Sequence, residues 1–141
     1  MQTPNKSAYD SALKMLARRE HSYLELCKKL SPTYPEDEIE QALEKLKQQN
    51  YQSDARFASE FIQMRFNQGK GPIKIAMDLK QKGINDFDLS EYDFFALARQ
   101  VRVSKYGETT PKDYKEKAKQ QRFLQSRGFG FDEINALFDG D

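Results

Sequence analysis

The sequence holds a single cysteine, Cys27, and a single histidine, His21, in 141 residues. One thiol excludes an intrachain disulfide and fits a reducing compartment. No apolar run approaches the ~20 residues of a membrane-crossing helix. The opening Met1-Gln2-Thr3-Pro4-Asn5-Lys6 carries no apolar signal segment. A soluble, cytoplasmic protein with no membrane partner is therefore expected. An excess of one charge is also missing: 23 Lys and Arg stand against 22 Asp and Glu, a net of +1. Taken over the whole chain, that balance argues against strong nucleic-acid binding. The β-branched alternation of strands is absent. So are a nucleophile–base pair, a metal-ligand cluster and a phosphate-cradling loop, which excludes the common enzyme classes and leaves no cofactor or metal to expect.

What is present is polar and helical. Hydrophobic residues make 38% of the chain and charged residues 32%, too polar for one large core but enough for several thin ones. Ten Phe and seven Tyr supply much of the buried area. The charge is banded. Residues 61–85 carry a net of +4, 86–95 a net of −4, 96–130 nine basic against three acidic residues, and 131–141 again −4. A basic face can therefore coexist with acidic helix ends.

Helical punctuation recurs along the chain. Residues 7–19 carry an apolar stripe at Ala8, Ala12, Leu13 and Leu16. Ser22 and Glu25 form a capping box for a helix over about 22–30. Pro35 suits the first position of the next helix, with Glu36, Asp37 and Glu38 favoured by its dipole. Ser53 caps a helix bearing Phe57, Phe61 and Ile62, and Gly69, Gly71 and Pro72 end it and open another. Gly83 before Ile84 and Gly128 before Phe129 read as left-handed helix stops. A short helix around Leu89 is expected, then one from Phe94 that Gly107 ends. Thr110-Pro111 starts a basic helix reaching Leu124, and a last helix carries Ile134, Leu137 and Phe138.

The pattern is a threefold internal repeat of three helices. Leu30, Leu79 and Leu124 align, and Ile39, Leu89 and Ile134 follow nine to ten residues later. The repeats run over about 7–50, 51–92 and 93–138. Each is too small to be stable alone, so neighbours must share buried surface. Gln120 breaks the register by standing where the other repeats carry Leu26 and Ile75.

Individual residues weigh differently. His21, without convergent partners, reads as structural, and Cys27, between Leu26 and Leu30, as core. The glycines of Gly69-Lys70-Gly71 follow a helix rather than a strand and read as a turn. Asp86 and Asp88 suit helix starts. The cations Arg99, Arg102, Lys105, Lys112, Lys115, Lys117, Lys119, Arg122 and Arg127 crowd into 29 residues, with Lys112, Lys115 and Lys119 at helical spacing on one face. Such a face fits a phosphate backbone, and it fits acidic patches on a protein partner equally well.

Three stretches carry a family resemblance. Arg18-Arg19-Glu20-His21-Ser22 with Glu25-Leu26 and Lys29-Leu30 resembles the opening signature of RecX proteins. Asp54, Arg56-Phe57-Ala58, Arg65, Gly69-Lys70-Gly71 and Lys82-Gly83-Ile84 resemble the central one, and Arg122-Phe123-Leu124, Arg127-Gly128-Phe129 and Ile134 the closing one. The resemblance spans about residues 8–138. It departs in a shortened stretch from Ile84 to Phe94, and in Phe94 standing where Trp is common. It implies an all-helical, elongated, curved array of three tandem three-helix units. It also implies a monomer that binds the RecA filament and, without sequence preference, single- and double-stranded DNA, inhibiting RecA's ATP hydrolysis and strand exchange. The candidate filament- or DNA-contacting residues are then Arg18, Arg19, Lys28, Arg65, Lys70, Lys74, Lys82, Arg99, Arg102, Lys105, Lys112, Lys115, Lys119, Arg122 and Arg127. Two other readings remain open: a sequence-specific DNA-binding protein of helix-turn-helix type, and a passive helical adaptor.

Overall fold

A computed structural model describes residues 7–138. The stretch Met1 to Lys6 read for a signal, and Asp139 and Asp141 of the closing acidic band, lie outside them. The described residues form eight helices and no strand: α1 (Ala8–Arg18), α2 (Tyr23–Leu30), α3 (Glu36–Gln48), α4 (Asp54–Asn67), α5 (Pro72–Gln81), α6 (Phe94–Tyr106), α7 (Tyr114–Ser126) and α8 (Phe131–Phe138). The all-helical expectation holds.

Most boundaries follow the capping chemistry. Ser22 and Glu25 close the capping box reciprocally, Ser22 Oγ taking the Glu25 amide and a Glu25 carboxylate oxygen the Ser22 amide. Ser53 Oγ accepts from the Arg56 amide at 3.1 Å. Gly83 and Gly128 adopt φ of +80° and +98°. After each, an apolar amide reaches back to close the turn: Ile84 N–H to Leu79 O, and Phe129 N–H to Leu124 O. These are the left-handed stops that the Gly-apolar pairs predict.

Three expectations differ, and one stop, that of α3, carries no expectation from the sequence. Pro35 stands one position earlier than expected, as the N-cap with an extended ψ of 152°. The stop of α3 is Asn50 at φ +65°, followed by Tyr51 N–H to Leu46 O. Asparagine is the side chain that best tolerates this conformation after glycine. The basic helix begins at Tyr114 and not at Thr110-Pro111, because the Asp113 carboxylate accepts from the Lys115 amide and caps it there. Lys112 therefore lies before the helix and off the face expected for it. The short helix around Leu89 does not form. Asp88 instead takes the Ser90 amide at 2.9 Å, the local side-chain bond by which Asp competes with helix.

The chain divides into two compact units, one comprising residues up to Phe61 with Leu79–Phe87, the other Ile62–Asp78 with Asp88 onward. In the first, α1 packs on α2 and α3, and α2 on α3. Ala8, Ala12, Leu26, Leu30, Leu43 and Leu46 are its core, all at or below 1% exposure. The two alanines let α1 approach closely, while Cys27 packs at the core's edge.

In the second unit, α6, α7 and α8 contact one another pairwise, burying Leu97, Ala98, Leu124, Phe129 and Ile134. Phe66, Tyr92 and Phe94 form an aromatic cluster with ring centroids 5.1 to 6.2 Å apart. The start of α5 docks backbone to backbone on the turn between α7 and α8. Gly71 N–H donates to Arg127 O at 2.7 Å, and Ile73 N–H to Gly128 O at 2.9 Å.

Candidate functional site

The candidate cations fall into two kinds, those tied into the architecture and those left facing solvent. In the first unit, Glu25 is a buried carboxylate at 8% exposure. It accepts from both Arg19 guanidinium nitrogens at 3.1 and 3.3 Å, from the Ser22 amide at 3.0 Å and from Lys82 Nζ at 3.1 Å. Arg19 also donates to Glu20 O at 2.7 Å. Arg19 and Lys82 thus have structural partners, whereas Arg18 and Lys28 are exposed. Beside them His21 is buried, its Nδ1 3.0 Å from Arg19 O, and burial lowers its pKa, consistent with a structural role. Burial also pushes the Cys27 thiol up, away from the thiolate a nucleophile needs.

Burial alone would raise the Glu25 carboxyl. The hydrogen bonds from Arg19, Ser22 and Lys82 outweigh it and hold the group at about 2, against 4.5 for a free one. A carboxyl depressed on folding contributes stability above its unfolded value and loses it as pH falls toward the folded one. The window is therefore pH 4.5 down to about 2. The contribution is about 2–3 kcal/mol, kept below the full conversion because Arg19 and Lys82 are partly solvated. Glu25→Gln should lower stability at neutral pH by about this amount and remove the corresponding acid-limb loss. Chemical denaturation at a series of pH values checks it; parallel wild-type and variant curves below pH 4.5 would refute the hub.

In the second unit, Asp78 lies 3.8 Å from Arg65 and 3.9 Å from Lys74. Lys70 is half-buried in the turn before α5. Arg102 requires a correction. It is 4% exposed and points into the bundle, donating to Gln120 Oε1 at 3.2 Å and Glu108 O at 3.4 Å. Gln120 in turn donates to Glu116 at 3.1 Å. A guanidinium so enclosed has no surface to offer a phosphate, and it leaves the candidate face. Arg99, Lys105, Lys112, Lys115, Lys119 and Arg122 are exposed. Along α7, Lys115, Lys119 and Arg122 stand at i, i+4 and i+7, so the basic face exists with Arg122 in place of Lys112. Lys105 Nζ and the half-buried Arg127 guanidinium lie 4.7 and 5.0 Å from the centre of the Phe123 ring. The sequence pattern alone does not single out that ring as an organiser of cations.

Comparison with known proteins decides the family. Three family models match in order along the chain: "RecX, first three-helix domain" over residues 8–46, "second three-helix domain" over 53–91 and "third three-helix domain" over 91–138. The chain belongs to the RecX family. It is 36% identical to the Regulatory protein RecX of Halorhodospira halophila, covering 94% of this chain and 86% of that one. It is 40% identical to that of Cronobacter sakazakii, covering 96% and 95%. A crystal structure of regulatory protein RecX superposes with a TM-score of 0.81 at 26% identity over 94% of this chain and 72% of the other. RecX from Lactobacillus salivarius, at 24% identity, shares the fold with a TM-score of 0.78. RecX relatives carry the name of a regulatory protein, and the reading as a regulator rather than an enzyme rests on that name. Among the described residues no helix is long and apolar enough to cross a membrane.

The RecX signatures acquire structural meaning here. The Arg19, Ser22 and Glu25 of the opening one and the Lys82 of the central one meet in the Glu25 hub. The Gly71 of the central one meets the Arg127-Gly128 of the closing one through the backbone bonds described above.

Proposed function

We propose that this chain is a negative regulator of the RecA recombinase. It binds along RecA–DNA filaments, opposes ATP hydrolysis and strand exchange, and so modulates recombination and repair. The reading places it in the cytoplasm as a monomer without cofactor, its three repeats over about 7–50, 51–92 and 93–138. The supporting observation is the ordered match of three RecX domains from residue 8 to residue 138. The exposed cations of α7 supply a physical route. A nucleoprotein filament presents DNA phosphates and acidic protein surface on a repeating track, and linked binding units engage such a track at high effective concentration.

The test is RecA ATPase activity on single-stranded DNA with this protein titrated in. The rate should fall progressively. An unchanged rate at concentrations matching RecA refutes the reading. Scrambling the DNA sequence should leave inhibition unaltered; a large loss would favour the helix-turn-helix alternative.

A further inference from the structure

The first unit contains a groove of about 620 Å3 between α2 and α3, opposite in character to the basic band. Glu36, Glu40 and Glu44 line it along α3. Tyr23 and Tyr34 give it aromatic surface, Cys27 and Ile39 apolar surface, and Lys28 is its one cation. A second stretch continues it past Leu24 toward Asp54 and Gly83, with Lys47 also on its wall, and shares Tyr23, Cys27 and Glu44 with the first.

Three observations converge on a cationic occupant that is itself a chain. The carboxylates stand at i, i+4 and i+8 of one exposed helix face, where like charges oppose one another. The helix dipole favours Glu36 but not Glu44, and none of the three forms an ion pair among the described residues. Their charge is felt inside the groove, since after burial itself Glu36 and Glu40 are what pushes the Cys27 thiol up. The two aromatic rings, in turn, are anchored by their hydroxyls. Tyr23 donates to Glu44 at 3.0 Å, and the Tyr34 hydroxyl lies 2.6 Å from Ser11 Oγ. Anchored rings offer a ready surface to an ammonium or guanidinium group. Finally, the spacing has a counterpart. Successive carboxylates rise about 6 Å along α3, and alternate side chains of an extended chain lie about 6.6 Å apart on one face.

We propose that this groove binds an extended protein segment carrying lysine or arginine at alternate positions, whose cations meet Glu36, Glu40 and Glu44 and pack against Tyr23 and Tyr34. The inference goes beyond the proposed function. The cations of α7 suit phosphate or acidic protein surface, whereas this groove repels both and takes a partner of the opposite charge. Its continuation past Cys27 toward Gly83 favours a protein chain over a small polyamine, which would occupy only the acidic stretch.

The experiment is fluorescence anisotropy of a labelled peptide in which lysine alternates with serine, titrated with the full chain without RecA or DNA. Glu36→Gln with Glu40→Gln should weaken binding about tenfold, and Glu40→Gln alone about threefold. Asp86→Asn with Glu91→Gln removes the same charge from exposed positions outside the groove and should bind as wild type. A peptide of the same composition with its lysines adjacent should bind several-fold more weakly than the alternating one. Far-UV circular dichroism monitors folding. Wild-type affinity in the groove pair would overturn the proposal, as would no binding by the wild type. An equal loss in the Asp86 and Glu91 pair would reduce the effect to overall charge and overturn it too. So would equal binding of the two peptides, or displacement of the peptide by spermidine at equal positive charge, which reassigns the groove to polyamines. Because RecA is absent, a failure of ATPase inhibition sinks the regulator reading and leaves this result standing.

Discussion

Alanine at Gly71 is expected to destabilise the protein by about 3–5 kcal/mol, well beyond the usual effect of one added methyl at a turn. A Cβ there would overlap the Gly128 carbonyl and stand 2.5 Å from the Phe129 nitrogen. Both neighbours are main chain, so no rotamer change relieves the overlap, and the two segments must separate. Separation breaks the bonds from Gly71 N–H to Arg127 O and from Ile73 N–H to Gly128 O, each worth about 0.5–1.5 kcal/mol net. Overpacking adds about 1–3 kcal/mol. Gly107 is the control. It has φ of +85° and ψ of 177° but nothing within 4 Å of an added Cβ, so Gly107→Ala should cost only this glycine-favouring backbone conformation, about 1–3 kcal/mol. Gly83→Val falls between, since its Cβ meets the Leu24 side chain at 2.9 Å as well as a positive φ. Urea denaturation of the three variants checks the ranking; equal midpoints for Gly71→Ala and Gly107→Ala would refute the close approach.

Reversing charge at Lys115, Lys119 and Arg122 together is expected to raise the concentration for half-inhibition of RecA ATPase at least about tenfold, with the helical spectrum unchanged. The three lie exposed on one face of α7 and form no ion pair among the described residues. Exposed charges contribute little to stability, while like charge set against a phosphate or carboxylate track costs several kcal/mol. Half-inhibition at the wild-type concentration would remove this face from the interface. Deleting the chain from Thr110 onward is the poorer experiment. It removes α7 and α8, exposes the α6 face that buries Leu97 and Ala98, and strips the acceptors from Gly71 and Ile73. Lost inhibition would then report unfolding as much as a missing binding face.

What was legible in the sequence was local. Ser22 with Glu25, Ser53, Gly83 before Ile84 and Gly128 before Phe129 each state a boundary through chemistry confined to a few residues, and each holds. The boundaries that shifted were contests between local options. Pro111 can open a helix, but Asp113 can cap one, and the carboxylate prevailed. Leu89 continues an apolar register, but Asp88 offers its neighbour's amide a closer bond. Asn50 does the work of a glycine without being one.

The site was legible as composition and opaque as geometry. Nothing near Glu25 announces that its second oxygen will hold Lys82, 57 residues downstream. Arg102 reads as one more cation in a basic band, although a signal was present. Gln120 occupies a register position that is apolar in the other repeats, and a polar side chain in a core needs a partner; Arg102 is that partner. The gathering of Lys105 and Arg127 on Phe123 depends on how α6 crosses the end of α7, which no periodicity encodes.

The missing helix after Ile84 has a consequence for the chain's exposure to solvent chemistry. The amides of Asn85 through Leu89 and of Glu91 make no hydrogen bond among the described residues, and that of Ser90 bonds only the Asp88 side chain. Unprotected amides exchange with deuterium through openings of nearly zero free energy, while those in the packed helices wait for larger ones. The stretch also concentrates Asp86, Asp88 and Glu91 in exposed positions. A protease selective for acidic side chains would find its substrate already unwound there, and a brief digest should release its first two fragments from a cut between Ile84 and Phe94.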